Sequence, residues 1–290
     1  MSIRIATHAG SWYSSVGNVL KTRISSELST HPENEVLVKY IITPHAGYDY
    51  SLKTALYAYS KIRTFKYSKI FILGPSHHVY FEGCGLDKCI KYETPIGNLD
   101  IDTETVTNLL ANDHFMNISK GTSEDEHSIE MQLPILKLIL EGFPDAKIIP
   151  IMIGDIDEQS TIGIANSLLK YFEDKDNLFV ISSDFCHFGA RFGFYKTPYP
   201  GIPIHEAVEK LDKDGIDLIL KHNYKGFISY LDDTKNTICG RNPIQVLLKL
   251  LTFSKLNIFS NLESYAQSNP ATNIRDSSVS YAAVVGTIIN

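Results

Sequence analysis

Lys69-Ile70-Phe71-Ile72-Leu73-Gly74-Pro75-Ser76-His77-His78 is the stretch that says most about how this chain folds. Its first part is apolar without interruption, rather than alternating between apolar and polar side chains. Such a run predicts a β-strand buried on both faces, as in a parallel sheet covered by helices. Gly74 and Pro75 then end the strand, and histidine follows directly. Because ligands of α/β sheets bind beyond the carboxyl ends of the strands, His77 is a candidate site residue.

Four other apolar runs predict strands in the same way, at residues 36–43, 147–154, 177–182 and 280–289. Between them apolar residues recur at helical spacing, and Asn242-Pro243 predicts the start of a late helix. Alternating strands and helices predict an α/β fold with a central, mostly parallel sheet flanked by helices. The length allows one large domain or two ordinary ones. Because no linker interrupts the pattern, we predict a single domain over residues 1–290.

The overall composition excludes some classes of partner. The chain has 27 basic and 33 acidic residues, a net charge of −6, and no basic stripe, so neither nucleic acid nor an anionic membrane is expected. Its four cysteines include no Cys-x-x-Cys pair and favour a reducing compartment over a disulfide framework. No apolar leader is present, and no apolar run approaches the roughly 18 residues that span a bilayer. We therefore expect a soluble cytoplasmic protein, with the nucleus as a second compartment.

Other candidate residues follow strands as His77 does. His45 comes directly after the run at 36–43, and Asp184 and His187 follow the run at 177–182. A lone loop histidine is commonly just solvated, but His45 and His77 from neighbouring strands would face each other. On a turn, Asp184 would reach His187 and hold one imidazole nitrogen, giving a general base with its orienting partner. The alternative is a capping aspartate beside a surface histidine.

Cys239 precedes Gly240-Arg241-Asn242-Pro243, at the start of the late helix. A helix amino terminus and a nearby guanidinium lower a thiol pKa, which favours the thiolate. A thiolate here would bind a metal together with two imidazoles, or act as a nucleophile. Buried, inert cysteine is the common alternative.

Two further sets of residues are candidates for the rim of the pocket. His127 and Glu130 share one face of a predicted helix. Most of the acidic residues in its first turn are interpreted as ordinary helix capping. Trp12 and Tyr50 would form an aromatic wall, although aromatic residues near strand ends more often fill a core.

Seven motifs, in order and over essentially the whole chain, resemble the Memo family (mediator of ErbB2-driven cell motility). They are His8-Ala9-Gly10-Ser11-Trp12-Tyr13, Pro44-His45-Ala46-Gly47-Tyr48, Leu73-Gly74-Pro75-Ser76-His77-His78, Glu124-Asp125-Glu126-His127-Ser128-Ile129-Glu130-Met131, Ser183-Asp184-Phe185-Cys186-His187, Asn236-Thr237-Ile238-Cys239-Gly240-Arg241 and Asp276-Ser277-Ser278-Val279-Ser280-Tyr281.

The resemblance implies a fold similar to the class III extradiol, non-haem iron dioxygenases, with a pocket at the strand ends. It implies a metal-binding trio of His45, His77 and Cys239. Asp184 and His187 would be the catalytic polar pair, and Trp12, Tyr50 and Arg191 would lie at the wall and rim. Two histidines with a thiolate suit copper and zinc, whereas the dioxygenases pair two histidines with a carboxylate around iron. Iron or copper is therefore the expected cofactor, zinc is also suited, and no nucleotide cofactor is expected.

The resemblance further implies a redox-related protein linked to signalling or cell motility, with a small molecule or peptide in its pocket. A metal-dependent oxidoreductase of dioxygenase ancestry is one interpretation. Another is a non-catalytic binding module whose inherited pocket captures a phosphotyrosine peptide or a small anion, with Arg191 pairing with the anionic group. A hydrolase with Cys239 as nucleophile and His187 as base is a third, for which the sequence offers no oxyanion-hole motif.

Overall fold

The computed structural model describes residues 2–32 and 36–289. Residues 1, 33–35 and 290, which the single-domain prediction includes, lie outside this part. The strands are β1 (Ile3–Arg4), β2 (Val38–Thr43), β3 (Lys69–Pro75), β4 (Cys84–Leu86), β5 (Lys91–Tyr92), β6 (Leu99–Asp100), β7 (Phe115–Asn117), β8 (Lys147–Ile153), β9 (Asn177–Ser182), β10 (His187–Phe188), β11 (Ile258–Gln267) and β12 (Ser278–Ile288).

The helices cover the segments between these strands, and two short 3-10 turns, Leu140–Gly142 and Ala190–Phe192, accompany them. They are α1 (Gly17–Leu28), α2 (Tyr48–Ser60), α3 (Thr103–Leu110), α4 (Lys120–Asp125), α5 (His127–Glu130), α6 (Leu133–Ile139), α7 (Glu158–Glu173), α8 (Ile204–Leu220), α9 (Tyr224–Thr234) and α10 (Arg241–Phe253). No helix in the described ranges combines the length and apolar character needed to cross a membrane.

The main sheet has the strand order β10-β12-β2-β9-β3-β8-β4-β7, and β11 pairs with β12. Its centre, β2-β9-β3-β8, is parallel, which confirms the predicted α/β fold. β12 and β4 run antiparallel to this centre, β10 and β11 pair antiparallel with β12, and β7 pairs parallel with β4, so the sheet is mixed. A small second sheet contains β1, β5 and β6.

The strand predicted at residues 280–289 exists as β12 but is not a parallel strand. It runs antiparallel to both β2 and β11. Its continuous apolar character has a different cause, because α2 packs on β12 and on β2 and buries them. Burial on both faces, rather than strand direction, sets this sequence pattern.

The late helix also begins differently from the prediction. It starts at Arg241 with Gly240 as N-cap, so Pro243 is its third residue rather than its first. The first four N–H groups of a helix have no partner within the helix, so proline costs no hydrogen bond there.

Strand order brings the candidate residues together. β9 lies between β2 and β3, and the three strands are parallel, so their carboxyl ends lie side by side. The strands are held in place by a fully buried aromatic core in which the Phe71 and Phe179 rings stack at 4.7 Å and Phe172 of α7 meets Phe179 edge-on. Burying one such side chain contributes about 1.5–3 kcal/mol.

Candidate metal centre

Three imidazole rings gather at the carboxyl ends of the parallel strands. His45 follows β2, His77 follows β3, and His127 is the first residue of α5. Each offers a ring nitrogen, and these nitrogens all lie within 4.8 Å of one another. The ring centroids of His45 and His77 are 5.2 Å apart, and those of His77 and His127 are 4.5 Å apart. The sequence predicted His127 only as a rim residue, whereas the structure places it within the cluster.

The hydrogen bonds of Ser182 fix the tautomer of His45. The Ser182 hydroxyl donates its proton to the backbone carbonyl of Ser128 at 2.7 Å and accepts from the Gln132 side-chain amide at 2.9 Å. It therefore accepts from His45 Nδ1 at 2.8 Å, so Nδ1 carries the proton and Nε2 is the unprotonated nitrogen. Burial, together with neighbouring histidines, holds the pKa of His45 well below its usual value, so the ring is neutral.

Glu126 orients His77 in a similar way. Its carboxylate accepts from His77 Nδ1 at 2.8 Å and from the His77 backbone N–H at 2.6 Å. Burial alone would raise the pKa of Glu126, but the hydrogen bond and charge of His77 outweigh it and lower the pKa to about 2. The ionised carboxylate can only accept, so His77 Nδ1 carries a proton and Nε2 is the nitrogen that a metal could occupy. The sequence interpretation assigned the acidic cluster to helix capping; Glu126 does cap α5 through the Ser128 N–H, but it also positions a histidine.

His127 has a buried ring nitrogen without a hydrogen bond. Its ring lies between His77 and Trp12, with a centroid distance of 4.3 Å to Trp12. Nδ1 makes no hydrogen bond to any residue of the described ranges, and Glu126 Oε1 is 3.5 Å away. Burial, with the nearby charge of His77, lowers the pKa of His127 to about 3. His127 is thus a neutral imidazole whose buried Nδ1 has no hydrogen-bond partner among the described residues.

Cys239 lies beside His45. Its sulfur is 3.1 Å from His45 Nε2 and accepts from the backbone N–H of Asp184 at 3.2 Å. The predicted thiolate is wrong for the metal-free protein, since burial and the charge of Asp184 raise the thiol pKa well above its usual value. Arg241, which was expected to lower it, is exposed at the surface. The raised pKa also weakens the interpretation of Cys239 as a hydrolase nucleophile.

The predicted contact between Asp184 and His187 is not formed. Asp184 Oδ1 accepts from the backbone N–H of His45 at 2.9 Å, and the buried carboxyl has a raised pKa. His187 Nδ1 instead donates to the carbonyl oxygens of Phe185, at 2.8 Å, and Thr237, at 3.1 Å. The chain after β9 is extended rather than helical, so residues three apart do not share a face. His187 Nδ1 nevertheless carries a proton in a fixed position, because both of its partners are carbonyl oxygens that can only accept.

Glu130 is not a rim residue, because it is fully buried below the histidine cluster. Its carboxylate accepts from Arg4 at 2.7 Å, from the Tyr13 hydroxyl at 2.6 Å, and from both the backbone N–H and Nδ1 of His8 at 2.9 Å. Burial opposes ionisation, but the hydrogen bond of His8 and the charge of Arg4 lower the pKa of Glu130 to about 2. Glu130 therefore anchors the amino-terminal segment that carries Trp12.

A cavity of about 500 Å³ lies over the cluster. The predicted site residues that line it are Trp12, His45, Tyr50, His77, His127, Asp184, His187 and Arg191. Cys239 lines an adjoining cavity of about 650 Å³, and His77, His187 and Phe192 line both. His77 of the cluster is thus accessible from both cavities.

The donor set fits a borderline transition metal. His45 and His77 each use Nδ1 in a hydrogen bond to a supporting group and leave Nε2 free, which is the usual arrangement of metal-binding histidines. The buried, unpartnered Nδ1 of His127 and the sulfur of Cys239 lie next to them. Imidazole and sulfur donors suit copper, iron and zinc better than magnesium or calcium.

A mixed α/β sheet with an imidazole cluster at its strand ends defines a class of proteins with a candidate metal site. The sequence matches the family described as Memo-like protein over residues 4–285, so the chain belongs to this family, as its motifs predicted. It is 40% identical to protein MEMO1 of Homo sapiens over 289 residues, covering 98% of this chain and 97% of that protein. It is 40% identical to the memo-1 homolog of Caenorhabditis elegans, over 97% of this chain and 82% of that protein. A MEMO1 family protein of Schizosaccharomyces pombe is 37% identical, over 97% of this chain and 98% of that protein.

Proposed function

We propose that this chain is a metal-binding, redox-related protein that holds iron or copper at His45 and His77, with Cys239 and His127 as the neighbouring donors. The observation that carries the proposal is that both histidines use Nδ1 in a hydrogen bond to a supporting group, which leaves Nε2 of each as the nitrogen for a metal. A bound iron or copper ion would supply one-electron redox chemistry at positions left open by the protein.

His187 is the proposed acid–base residue. Its Nδ1 proton is held by two carbonyl oxygens, so Nε2 is the atom that would take a proton from a small molecule in the cavity. Asp184 contributes by fixing the backbone of His45 rather than by contacting His187. Trp12 and Tyr50, on the cavity wall, would shield the reacting group from water.

Metal analysis of protein purified without added metal tests the proposal. We expect iron or copper in the native protein and its loss in His45→Ala and His77→Ala. His31→Ala is a matched control, because His31 packs on Tyr57 away from the cluster. Comparison of Cys239→Ser with His127→Ala then identifies the third donor. Native metal content in both His45→Ala and His77→Ala would refute the proposal.

Capture of a phosphotyrosine peptide or small anion is a second candidate function, favoured by Arg191. The guanidinium lines the cavity, stacks over Phe192 at 4.3 Å and makes no ion pair with any described residue. It is therefore free to pair with an anionic group. Calorimetric titration of metal-free protein with a phosphotyrosine peptide should show binding that Arg191→Gln abolishes, and equal affinity of the two proteins would reject this function.

A role in signalling or cell motility, in the cytoplasm and also the nucleus, extends the same proposal. It is supported by membership of the Memo-like family. Fractionation of cells that express the tagged chain, with native and His45→Ala forms compared in a migration assay, would test it. Equal migration with both forms would count against a metal-dependent role.

A further inference from the structure

Asp212 of α8 is a fully buried carboxyl group outside the histidine cluster. Its Oδ1 accepts from the Cys186 backbone N–H at 3.1 Å and from Asn236 Nδ2 at 2.9 Å, and its Oδ2 accepts from the Tyr265 hydroxyl at 2.9 Å. No basic side chain of the described residues forms an ion pair with it. Burial raises its pKa to about 6, against the lowering effect of these hydrogen bonds. Burying a carboxyl group without a neighbouring cation costs free energy, so we expect Asp212 to have a specific role.

The two donors to Oδ1 belong to the two segments that meet at His187. Cys186 directly precedes His187, and Asn236 directly precedes Thr237. Thr237 accepts the His187 backbone N–H on Oγ1 at 2.7 Å and the His187 ring Nδ1–H on its carbonyl at 3.1 Å. One oxygen atom of Asp212 therefore ties together the segment that carries the imidazole and the segment that fixes its tautomer.

The side-chain amide of Asn236 is oriented to donate a hydrogen bond to the Asp212 carboxylate. Its Nδ2 donates to Asp212 and to the Tyr230 hydroxyl, while its buried Oδ1 has no hydrogen bond to any residue of the described ranges. An unpartnered buried amide oxygen costs on the order of 1–3 kcal/mol. The Cys186 N–H can only donate, so Oδ1 of Asp212 must accept from both sides.

We propose that Asp212 is a positioning residue that fixes the orientation and the Nδ1–H hydrogen bonds of His187 by holding the Cys186 and Asn236 segments through Oδ1. The inference rests on the proposed function in that it assigns how the acid–base residue is oriented. Asp212 lines neither cavity over the cluster, so it acts through Cys186 and Thr237 and not on a substrate.

Nuclear magnetic resonance of metal-free protein tests the assignment. In Asp212→Ala we expect the His187 ring nitrogens to lose the signature of a single Nδ1–H tautomer, and the Cys186 and His187 amides to exchange at least about tenfold faster. Tyr265→Phe is the matched control: it removes one donor from the same carboxyl but leaves the Oδ1 bridge, so the His187 signals should stay native.

Native His187 signals in Asp212→Ala, or equal disturbance in both variants, would overturn the proposal. Should Asp212→Ala fail to fold, Asn236→Ala carries the test, because it breaks only the Thr237 side of the bridge. It should disturb the His187 tautomer while the Cys186 amide stays protected, and an unchanged tautomer would overturn the proposal. The spectra need no metal, so failure of the metal proposal and failure of this one are distinguishable.

Discussion

The ion pair between Arg4 and Glu130 should be a major source of stability for the amino-terminal segment. The two charges are 2.7 Å apart and almost completely buried, and Glu130→Gln would leave the Arg4 charge without its partner. A folded-state pKa of about 2 against an ordinary pKa of 4.5 corresponds to about 3 kcal/mol at neutral pH. This is comparable with the cost of removing one partner of other buried pairs, about 3–5 kcal/mol.

The sign of the pH dependence follows from the direction of the shift. Because the pKa of Glu130 is lower in the folded state, its contribution is fully present above the unfolded pKa of 4.5 and is lost as the pH falls through about 2. The difference in free energy of unfolding between the native protein and Glu130→Gln should therefore decrease from about 3 kcal/mol at pH 7 to about 1.4 kcal/mol at pH 3.

Urea unfolding of the native protein and Glu130→Gln at both pH values is the assay. Glu141→Gln is the matched control, because Glu141 pairs with Lys21 at the same 2.7 Å but both side chains are over 40% exposed. Surface pairs contribute about 0–1 kcal/mol, so this variant should unfold almost like the native protein. The reasoning is refuted if both variants lose the same free energy of unfolding, or if the loss in Glu130→Gln does not change with pH.

Three further outcomes follow from the site. Glu126→Gln replaces the carboxylate that holds His77 Nδ1, so metal affinity should fall by about tenfold or more. Competition with a chelator measures this affinity, and an unchanged value would show that the hydrogen bond is not needed for metal binding. If the neutral thiol of Cys239 binds the metal, it must release a proton, so metal affinity should rise with pH. In Cys239→Ser the affinity should rise less steeply with pH, and an equal pH dependence in both proteins would exclude the cysteine as a ligand. Gly240→Ala would place a Cβ 2.3 Å from the Ser183 side chain, so it should lower thermal stability and metal affinity, whereas Gly142→Ala, which meets nothing within 4 Å, should change neither.

The predictions that depended on strand ends were the most successful. The apolar runs gave the central strands to within about two residues, and a site residue after each of β2, β3 and β9 lies at the cluster because parallel neighbours end at one edge. The direction of β12 could not be predicted in this way, because burial produces the same apolar pattern in parallel and antiparallel strands.

The side-chain partners were predicted less well, and always for the same reason. The sequence suggested that Asp184 holds His187 because the two are close along the chain, but the backbone carbonyls of Phe185 and of Thr237, fifty residues away, take that role. Glu130 was placed at the rim because of its helical face, yet Arg4, 126 positions earlier, draws it into the interior. A hydrogen bond between two distant segments produces no recurring pattern in the sequence of either segment, so it cannot be predicted from such patterns.

The amino-acid sequence alone determined the α/β class, the edge of the sheet where the site lies, and the family, because all three follow from local patterns: apolar runs, the residues after them, and motifs in order. Tertiary structure alone decided that His45 and His77 are each held through Nδ1, that His127 joins them, and that Cys239 is a neutral thiol. These properties depend on burial and on hydrogen-bond partners from other segments, and both exist only once the chain has folded.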